Sequence, residues 1–237
     1  LASNSGATGS RTINSSLGQE DRTLSFFGRL NYSYADRYLL TFTMRADGSS
    51  KFVKDNRWGY FPAAALGWRI AEEPWMINTK DWLSNLKLRF SYGTAGNNRI
   101  SSSMYETTYK AYGSGKYYGA GNQQNPHYTL NNSQLANPEL KWETTITRNV
   151  GLDFGFFDER ISGSLDYYWN TTKDLLLDAP VTAIGYTSMQ QNIGQTSNRG
   201  VELNLNAAIL RKKDYSLNFT FNVGFNKNKV DKLAGGQ

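Results

Sequence analysis

The residues that could carry out catalysis are few and scattered. His127 is the only histidine and there is no cysteine, which excludes a histidine-based triad, a two-histidine metal site and thiol chemistry by count. Residues 113–116 read GSGK, but Lys110 stands where the first glycine of a phosphate-binding loop should be, and Tyr117 follows the lysine. We interpret this segment as a loop.

The carboxylates do not form an evident catalytic or metal-binding set either. Asp153 and Asp166 fall on the polar faces of neighbouring predicted strands, and a glycosidase would need such a pair about 5–10 Å apart around a sugar. Asp47 begins the turn-like sequence DGSS without partner carboxylates for a cation. We therefore expect polar lining and turns here, no cofactor, no metal and no enzymatic activity.

Residues 96–141 form the segment with the most binding chemistry. Tyrosine faces stack on sugar rings or apolar side chains, and asparagine and glutamine amides pair with hydroxyl or peptide groups. The segment is rich in both kinds of residue, so we expect it to contact a substrate or a partner. The candidate contact residues are its six tyrosines, Tyr105, Tyr109, Tyr112, Tyr117, Tyr118 and Tyr128.

The elements that must position this segment alternate apolar and polar residues with period two, which predicts β-strands. From 38 to 47, for example, Tyr38, Leu40, Phe42 and Met44 alternate with Leu39, Thr41, Thr43 and Arg45. The same pattern predicts eight strands of about ten residues, near 24–34, 38–47, 60–70, 86–93, 145–156, 161–170, 201–209 and 216–225. A short helix is expected around 75–83.

Strand length and aromatic placement favour a membrane barrel. About 9–11 tilted residues cross a bilayer, and aromatic residues end the apolar faces, as in the girdles of outer-membrane barrels. Short turns at one end and long loops at the other complete that pattern. The predicted fold class is all-β, an antiparallel up-and-down transmembrane β-barrel. A soluble or surface β-rich glycan-binding module without transport activity is the alternative.

Alternation also predicts which way side chains point. We expect a lipid-facing set and a lumen-facing set, because a register slip of one residue would turn the polar side chains into hydrocarbon. Arg148 falls on the lipid-facing parity, so it either reaches the headgroups or is turned inward by a bulge. The lipid-facing set is Leu40, Phe42, Leu88, Leu152, Leu203 and Phe219, and the lumen-facing set is Thr41, Arg89, Asp153, Asn204 and Asn218.

The net charge of +6, from 26 basic and 20 acidic residues, does not indicate a nucleic-acid partner. The only basic triplet is Arg211, Lys212 and Lys213, and Asp214 follows it. Such a cluster usually lies on a solvated surface.

Several stretches resemble the barrel of SusC-like (RagA-like) TonB-dependent outer-membrane transporters of Bacteroidetes. They are SFFGRLNYSYADRYLLTFTMRADGSSKF at 25–52, NRWGYFPAAALGWRIAEEPW at 56–75, LKLRFSYGTAGN at 86–97, the segment from NPEL to DLLL at 137–177, and NIGQTSNRGVELNLN at 192–206. Their order and spacing match the family across most of the chain.

The resemblance implies a 22-stranded barrel around a plug, of which this chain would be an internal or C-terminal part of about eight strands, without the plug. It implies import of oligosaccharides or peptides across the outer membrane of a Gram-negative bacterium, with a SusD-like surface lipoprotein and with the TonB complex acting through the plug. The expected organisation is an extracellular loop segment at 1–23, barrel strands over 24–230 with long extracellular loops at 48–57, 94–141 and 172–198, and a loop at 231–237.

Overall fold

Eight long antiparallel strands form one continuous sheet. The computed structural model describes residues 21–102, 104–107, 109–111, 117–120, 123–126, 128–130, 134–182 and 185–233. Each long strand pairs with the next long strand along the chain, so the sheet is an up-and-down meander. In chain order the strands are β1 (Thr23–Tyr34), β2 (Tyr38–Ser49), β3 (Trp58–Arg69), β4 (Leu83–Asn97), β5 (Tyr109–Ala111), β6 (Tyr117–Ala120), β7 (Gln123–Pro126), β8 (Tyr128–Leu130), β9 (Gln134–Leu135), β10 (Glu143–Phe156), β11 (Ile161–Pro180), β12 (Ser188–Arg211) and β13 (Ser216–Lys232).

The remaining elements are short. Strands β5 and β8 pair with each other, β6 pairs with β7, and β9 joins the large sheet beside β12. Three 3-10 helices span Lys54–Asn56, Ile70–Glu72 and Pro74–Thr79, and the last of these lies where a short helix is predicted. Within the part of the chain described here, no helix is long and apolar enough to cross a membrane.

The two ends of the sheet differ in the length of their connections. Tight turns at 35–37, 157–160 and 212–215 lie at one end, together with the link 70–82, and we call this the short-turn end. Ala35 and Asp36 are the two central residues of the turn that Arg37 N closes on the Tyr34 carbonyl. Both have φ of 52°, as a type I′ turn requires. The opposite, long-loop end carries the connections 50–57, 98–142 and 181–187.

The predicted loop at 172–198 is wrong in its extent. Strand β11 continues to Pro180 and β12 begins at Ser188, so both strands extend far beyond the predicted barrel wall. The ladder is interrupted at Asp174, whose φ of 56° accompanies a register shift. This stretch does not alternate, because Leu175, Leu176 and Leu177 are consecutive and most of its other residues are polar on both faces, so the sequence pattern does not indicate a strand here.

The cross-strand register confirms the two predicted faces. One row that crosses all eight long strands is entirely apolar or aromatic, and the next row along the strands is largely polar or small. We call the first side the apolar face and the second the polar face. The apolar row is Tyr32, Leu40, Leu66, Phe90, Val150, Tyr167, Val201 and Phe225, and the adjacent row is Asn31, Thr41, Ala65, Ser91, Asn149, Tyr168, Gly200 and Asn226. Every residue of the two predicted sets lies on its expected side.

No dry core covers the apolar face. Phe42 and Phe219 keep 43% and 49% of their surface exposed. The buried apolar cluster of Phe52, Ile100 and Leu140 lies instead in the connections of the long-loop end. The apolar face of the sheet therefore has no protein partner among the described residues, as expected for a surface that meets lipid.

The apolar band runs obliquely across the strands, as in a tilted barrel. At the long-loop end the band ends at Leu24 in β1 and at Phe225 in β13. Phe225 lies on the same cross-strand row as Tyr32 of β1, which is eight residues from Leu24, so the edge of the band shifts by eight residues between the first and last strands. Eight residues span about 26 Å along a strand, and the seven spacings between the eight strands add up to about 34 Å across the sheet. The ratio corresponds to a strand tilt of about 35–40°, which lies in the range of outer-membrane barrels.

Arg148 remains on the apolar face, and no bulge turns it inward. It pairs with Tyr92 in an unbroken register. Its guanidinium lies 5.9 Å from the Tyr92 ring centroid, and Nη1 donates to Thr171 Oγ1 at 3.3 Å. It stands near the long-loop end of the apolar band, with Ile146 beyond it on the same face of β10, and a long cationic side chain at this level reaches the headgroups.

A buried carboxylate fixes the link 70–82 against the short-turn end. Glu73 accepts hydrogen bonds from Tyr38 Oη at 2.6 Å, Trp68 Nε1 at 2.8 Å and Arg37 Nη1 at 2.9 Å. The hydrogen bond from Tyr38, with those from Trp68 and Arg37, holds the pKa of Glu73 below its ordinary value. The Trp68 ring also packs edge-on against Trp75, so the link is held by both polar and aromatic contacts.

Candidate functional site

The polar face carries a three-residue ion cluster on adjacent strands, which we call the wall cluster. Arg89 of β4 directs Nε to both carboxylate oxygens of Asp153 in β10, at 3.0 and 2.9 Å. Its Nη2 reaches both oxygens of Asp166 in β11, at 3.0 and 3.1 Å. One guanidinium therefore ties three strands together across the polar face.

A glycine makes this span possible. Gly151 lies between Arg89 and Asp166 in the ladder. A Cβ atom there would stand 2.5 Å from Asp166 Oδ1 and 2.6 Å from Arg89 Nη2. Any larger residue would separate the two charged groups.

The wall cluster does not form a glycosidase site. The Arg89 guanidinium bonds to both carboxylates, and so occupies the space that a sugar and a water molecule would need between an acid and a base. Among the described residues no group of three or more potential metal ligands is present. The arrangement suits a rigid, charged wall.

A cavity of about 480 Å³ opens on the polar face towards the long-loop end, and we call it the mouth pocket. Arg45 Nε donates to both oxygens of Asp47 at 2.9 and 2.6 Å, so this pair offers a charged edge. Hydroxyl-bearing residues of β1 and β2 add hydrogen-bonding groups, and aromatic rings close the far side. The lining residues are Thr23, Ser25, Thr43, Arg45, Asp47, Gly48, Phe61, Ala63, Thr94, Ala95, Gly96, Asn98 and Trp142.

The aromatic side of the mouth pocket is packed and well supported. Trp142 contacts Phe61 edge-on at 5.6 Å and Phe52 at 5.5 Å between ring centroids, and its Nε1 donates to the Arg57 carbonyl at 3.1 Å. A Cβ atom on Gly96 would lie 2.0 Å from Phe61 Cζ. The absence of a side chain at Gly96 therefore leaves the space that the Phe61 ring occupies. Rings held in this way offer a stacking surface at little cost in entropy.

The six candidate tyrosines are described only in part. Tyr105 is half-buried, and burial raises its pKa above the ordinary value, whereas Tyr109 is 64% exposed. Tyr112 lies outside the described residues, as do the side chains of Tyr117, Tyr118 and Tyr128. Neither Tyr105 nor Tyr109, the two whose side chains are described, lines the mouth pocket.

The sequence reasoning missed the residues that line the mouth pocket. Phe61 stands at a polar-face position of β3, where an aromatic residue departs from the alternation, and this was a usable signal. Trp142 comes from just before β10, 81 residues further along the chain, and no local pattern links the two. His127 and residues 113–116 lie outside the described residues.

Comparison with known proteins gives a consistent family. Residues 2–237 match the family model described as TonB dependent receptor-like, beta-barrel. The chain is 44% identical over 216 residues to TonB-dependent receptor SusC of Bacteroides thetaiotaomicron, covering 90% of this chain and 21% of the relative. It is 40% identical over 223 residues to TonB-dependent receptor P3 of Formosa agariphila, covering 94% and 22%. The chain thus spans about a fifth of the length of these relatives.

Solved structures share the architecture. The RagAB peptide importer in its open-open state superposes with a TM-score of 0.81 at 32% identity, over 92% of this chain and 23% of that one. The siderophore receptor PirA from Pseudomonas aeruginosa matches with a TM-score of 0.58 at 16% identity, over 90% and 35%. The second likeness concerns the fold alone.

Proposed function

The chain belongs to the TonB dependent receptor-like β-barrel family, and from this premise we propose that it forms part of the wall of an outer-membrane transporter that imports oligosaccharides or peptides. The observation that carries the proposal is the division of eight continuous strands into an apolar face without a protein partner and a polar face that bears the wall cluster and the mouth pocket.

Orientation follows from the connections. Outer-membrane barrels have short periplasmic turns and longer extracellular loops, so the long-loop end would face the outside. The mouth pocket then lies near the entrance and the wall cluster deeper in the lumen. In the complete barrel, a plug would occupy that lumen and link it to the TonB complex.

The mouth pocket suits a polar, extended substrate. The Arg45–Asp47 pair offers charge and hydrogen bonds, and the Phe61 and Trp142 rings offer apolar surface to a sugar ring or a side chain. The tyrosine-rich segment 96–141 is proposed to contact substrate or a SusD-like surface lipoprotein. RagAB, with which the chain shares its fold, is described as a peptide importer, and this supports peptides as one of the two substrate classes.

The alternative, a soluble or surface β-rich glycan-binding module, is not favoured. Such a domain would cover the apolar rows with a second sheet or helices. Here large residues such as Phe26 and Phe225 are 61% and 71% exposed on that face.

The experiment uses neighbouring residues that point in opposite directions. In the full-length protein, Arg45→Ala alters the mouth pocket, while Met44→Ala changes the adjacent apolar-face residue of the same strand. Uptake of labelled oligosaccharides and of labelled peptides is measured separately in whole cells. The proposal predicts that R45A lowers uptake of one class several-fold at normal barrel levels and that M44A does not.

A second arm tests the tyrosine-rich segment. Deleting residues 104–128 should reduce uptake, lipoprotein co-purification or both while the heat-modifiable barrel still assembles. Normal uptake and co-purification in both R45A and the deletion variant would contradict the proposal.

A further inference from the structure

Basic residues replace the apolar ones where the apolar face of β10, β12 and β13 reaches the long-loop end. Arg199 and Lys227 each stand two residues beyond the last apolar-face residue of their strand, Val201 and Phe225. Arg148 lies on the same cross-strand row in β10, between Val150 and Ile146. The register places Arg199 directly opposite Lys227 and opposite Trp169. Lys229 follows two residues beyond Lys227. We call these four cations the boundary cations.

These charges are poorly compensated within the protein. Like charges directly opposite each other in a sheet destabilise it, yet Arg199 and Lys227 form no ion pair with any described residue. Asp231 is the one carboxylate that the described residues place in the cavity beside these cations. Its Oδ1 lies 3.7 Å from Lys229 Nζ, and it accepts hydrogen bonds from Gln195 and Ser197. An external anion would relieve this repulsion.

Three of the boundary cations line a cavity of about 740 Å³ on this face. Arg199, Lys227 and Lys229 form its charged side, and the rings of Tyr167 and Trp169 form its apolar side. The two rings pack together at 5.5 Å between centroids. A cavity of this size exceeds what a bare phosphate fills and suits a lipid headgroup.

The position of the cavity indicates the kind of anion. Its apolar side continues into the row of Val201 and Phe225, which lies one step further into the apolar band. A molecule that places acyl chains along that band carries its headgroup to the level of the cations, because Trp169, Arg199 and Lys227 form the next row towards the long-loop end. Towards the same end of this face, β1 carries Leu24 and β3 carries Tyr60 and Trp58, while β2 and β4 carry small or uncharged residues. Among the described long strands, the boundary cations therefore lie on β10, β12 and β13.

We propose that the boundary cations bind the phosphorylated headgroup of an anionic lipid in the extracellular leaflet, with its acyl chains along the apolar face. Arg199 and Lys227 hold the phosphate, Arg148 and Lys229 flank it, and Trp169 and Tyr167 pack against the headgroup. The inference rests on the proposed orientation of the barrel in the outer membrane.

The test uses the full-length protein in neutral detergent, with native mass spectrometry to count bound lipid. The probe is diphosphorylated lipid A, and the control lipid is phosphatidylcholine, which is zwitterionic and has no net charge. Each cation near a membrane surface contributes about 1 kcal/mol, or about fivefold in affinity. We expect Arg199→Gln with Lys227→Gln to weaken lipid A binding by at least about tenfold and to leave phosphatidylcholine binding unchanged.

A matched control removes the same charge elsewhere. The control is the double variant Lys212→Gln with Lys213→Gln, whose two positions lie in a turn at the short-turn end. It should bind lipid A within about twofold of the unaltered protein. The single variants R199Q and K227Q serve if the double variant fails to assemble, and Arg199→Lys should retain binding. Inorganic phosphate in millimolar excess should not displace the lipid.

The outcomes separate this inference from the proposed function. Equal losses in the two double variants, equal binding of both lipids, or displacement by inorganic phosphate would overturn the lipid site while leaving the barrel intact. A destabilised barrel with unchanged lipid A binding would mean that the cations serve a protein contact instead. Failure of the unaltered protein to assemble as a heat-modifiable barrel would contradict the proposed function itself.

Discussion

Replacing Arg89 with methionine should destabilise the barrel wall well beyond the loss of one exposed arginine. Methionine keeps the length of the side chain but removes every hydrogen bond to Asp153 and Asp166. The two carboxylates then remain on adjacent strands without their shared cation. Asp166→Asn, in contrast, removes one partner and leaves the Asp153 pair in place.

The geometry sets the size of the effect. An ion pair at about 4 Å gains about 4 kcal/mol at an effective dielectric constant of about 20, but the Arg89 side chain is 32% exposed, so water screens much of this. Hydrogen bonds to charged groups have a net value of about 1.5–3 kcal/mol each. We expect R89M to lower the free energy of unfolding by about 2–4 kcal/mol and D166N by about 1–1.5 kcal/mol.

The assay is denaturant unfolding of the full-length protein in detergent micelles, followed by far-UV circular dichroism. The control is Arg29→Met on the same polar face, because Arg29 donates one hydrogen bond, to Thr43 at 3.2 Å, and should lose less than about 0.5 kcal/mol. A double-mutant cycle between R89M and D166N should give a coupling energy of about 1 kcal/mol. Equal effects of R89M and R29M, or coupling below about 0.3 kcal/mol, would refute the role of the wall cluster.

Three further predictions concern other parts of the sheet. Hydrogen bonds lower the pKa of Glu73 from its ordinary value of 4.5, so the stability that its carboxylate contributes is complete above pH 4.5 and is lost as the pH falls through the lowered pKa. Denaturant midpoints measured between pH 7 and pH 3 should therefore fall more steeply for the unaltered protein than for Glu73→Gln. Parallel curves would contradict the role of Glu73 in holding the link 70–82. Leu152→Arg should lower the stability of the barrel by about 2–4 kcal/mol, because the cross-strand neighbours of Leu152 on the apolar face are Leu88 and Leu165. The Asn204→Arg variant, changed on the polar face, should assemble normally, as measured by heat-modifiability gels. Equal assembly of the two variants would contradict the assigned faces. Gly96→Ala should cost about 1–3 kcal/mol by displacing the Phe61 ring, and unfolding measurements that show no loss would mean that the ring has free space.

The sequence predicts the strands and faces because period two persists wherever one face is apolar. The strands at 38–47 and 161–170 were recognisable from that alternation alone. The same rule explains the error at 172–198. Beyond the apolar band, mostly polar residues and the consecutive leucines at 175–177 remove the alternation, although the backbone pairing continues.

The candidate site was less accessible to sequence reasoning because it depends on register and on distant segments. Arg89 meets Asp166 across an intervening strand only because Gly151 leaves room, and composition does not reveal such a triplet. The contact of Phe61 with Trp142 likewise depends on how the connections of the long-loop end pack. Glu73 lies in a connection whose sequence carries no signal of burial, yet it is buried and accepts three hydrogen bonds.

The most direct test of the account is a cysteine scan along β12 and β13. The chain contains no cysteine, so single replacements at 201–205 and 221–225 give the only attachment points within it for a nitroxide label. The labelled variants are made in the full-length protein in lipid vesicles, with any cysteine outside this chain replaced by serine. Accessibility to lipid-soluble oxygen and to a water-soluble nickel chelate is measured at each position by electron paramagnetic resonance. The account predicts strict alternation, with oxygen access highest at 201, 203, 205, 221, 223 and 225, and chelate access at the positions between them. The same accessibility on both faces, or labels at 203 and 223 that are shielded from both reagents as in a dry core, would contradict the membrane barrel.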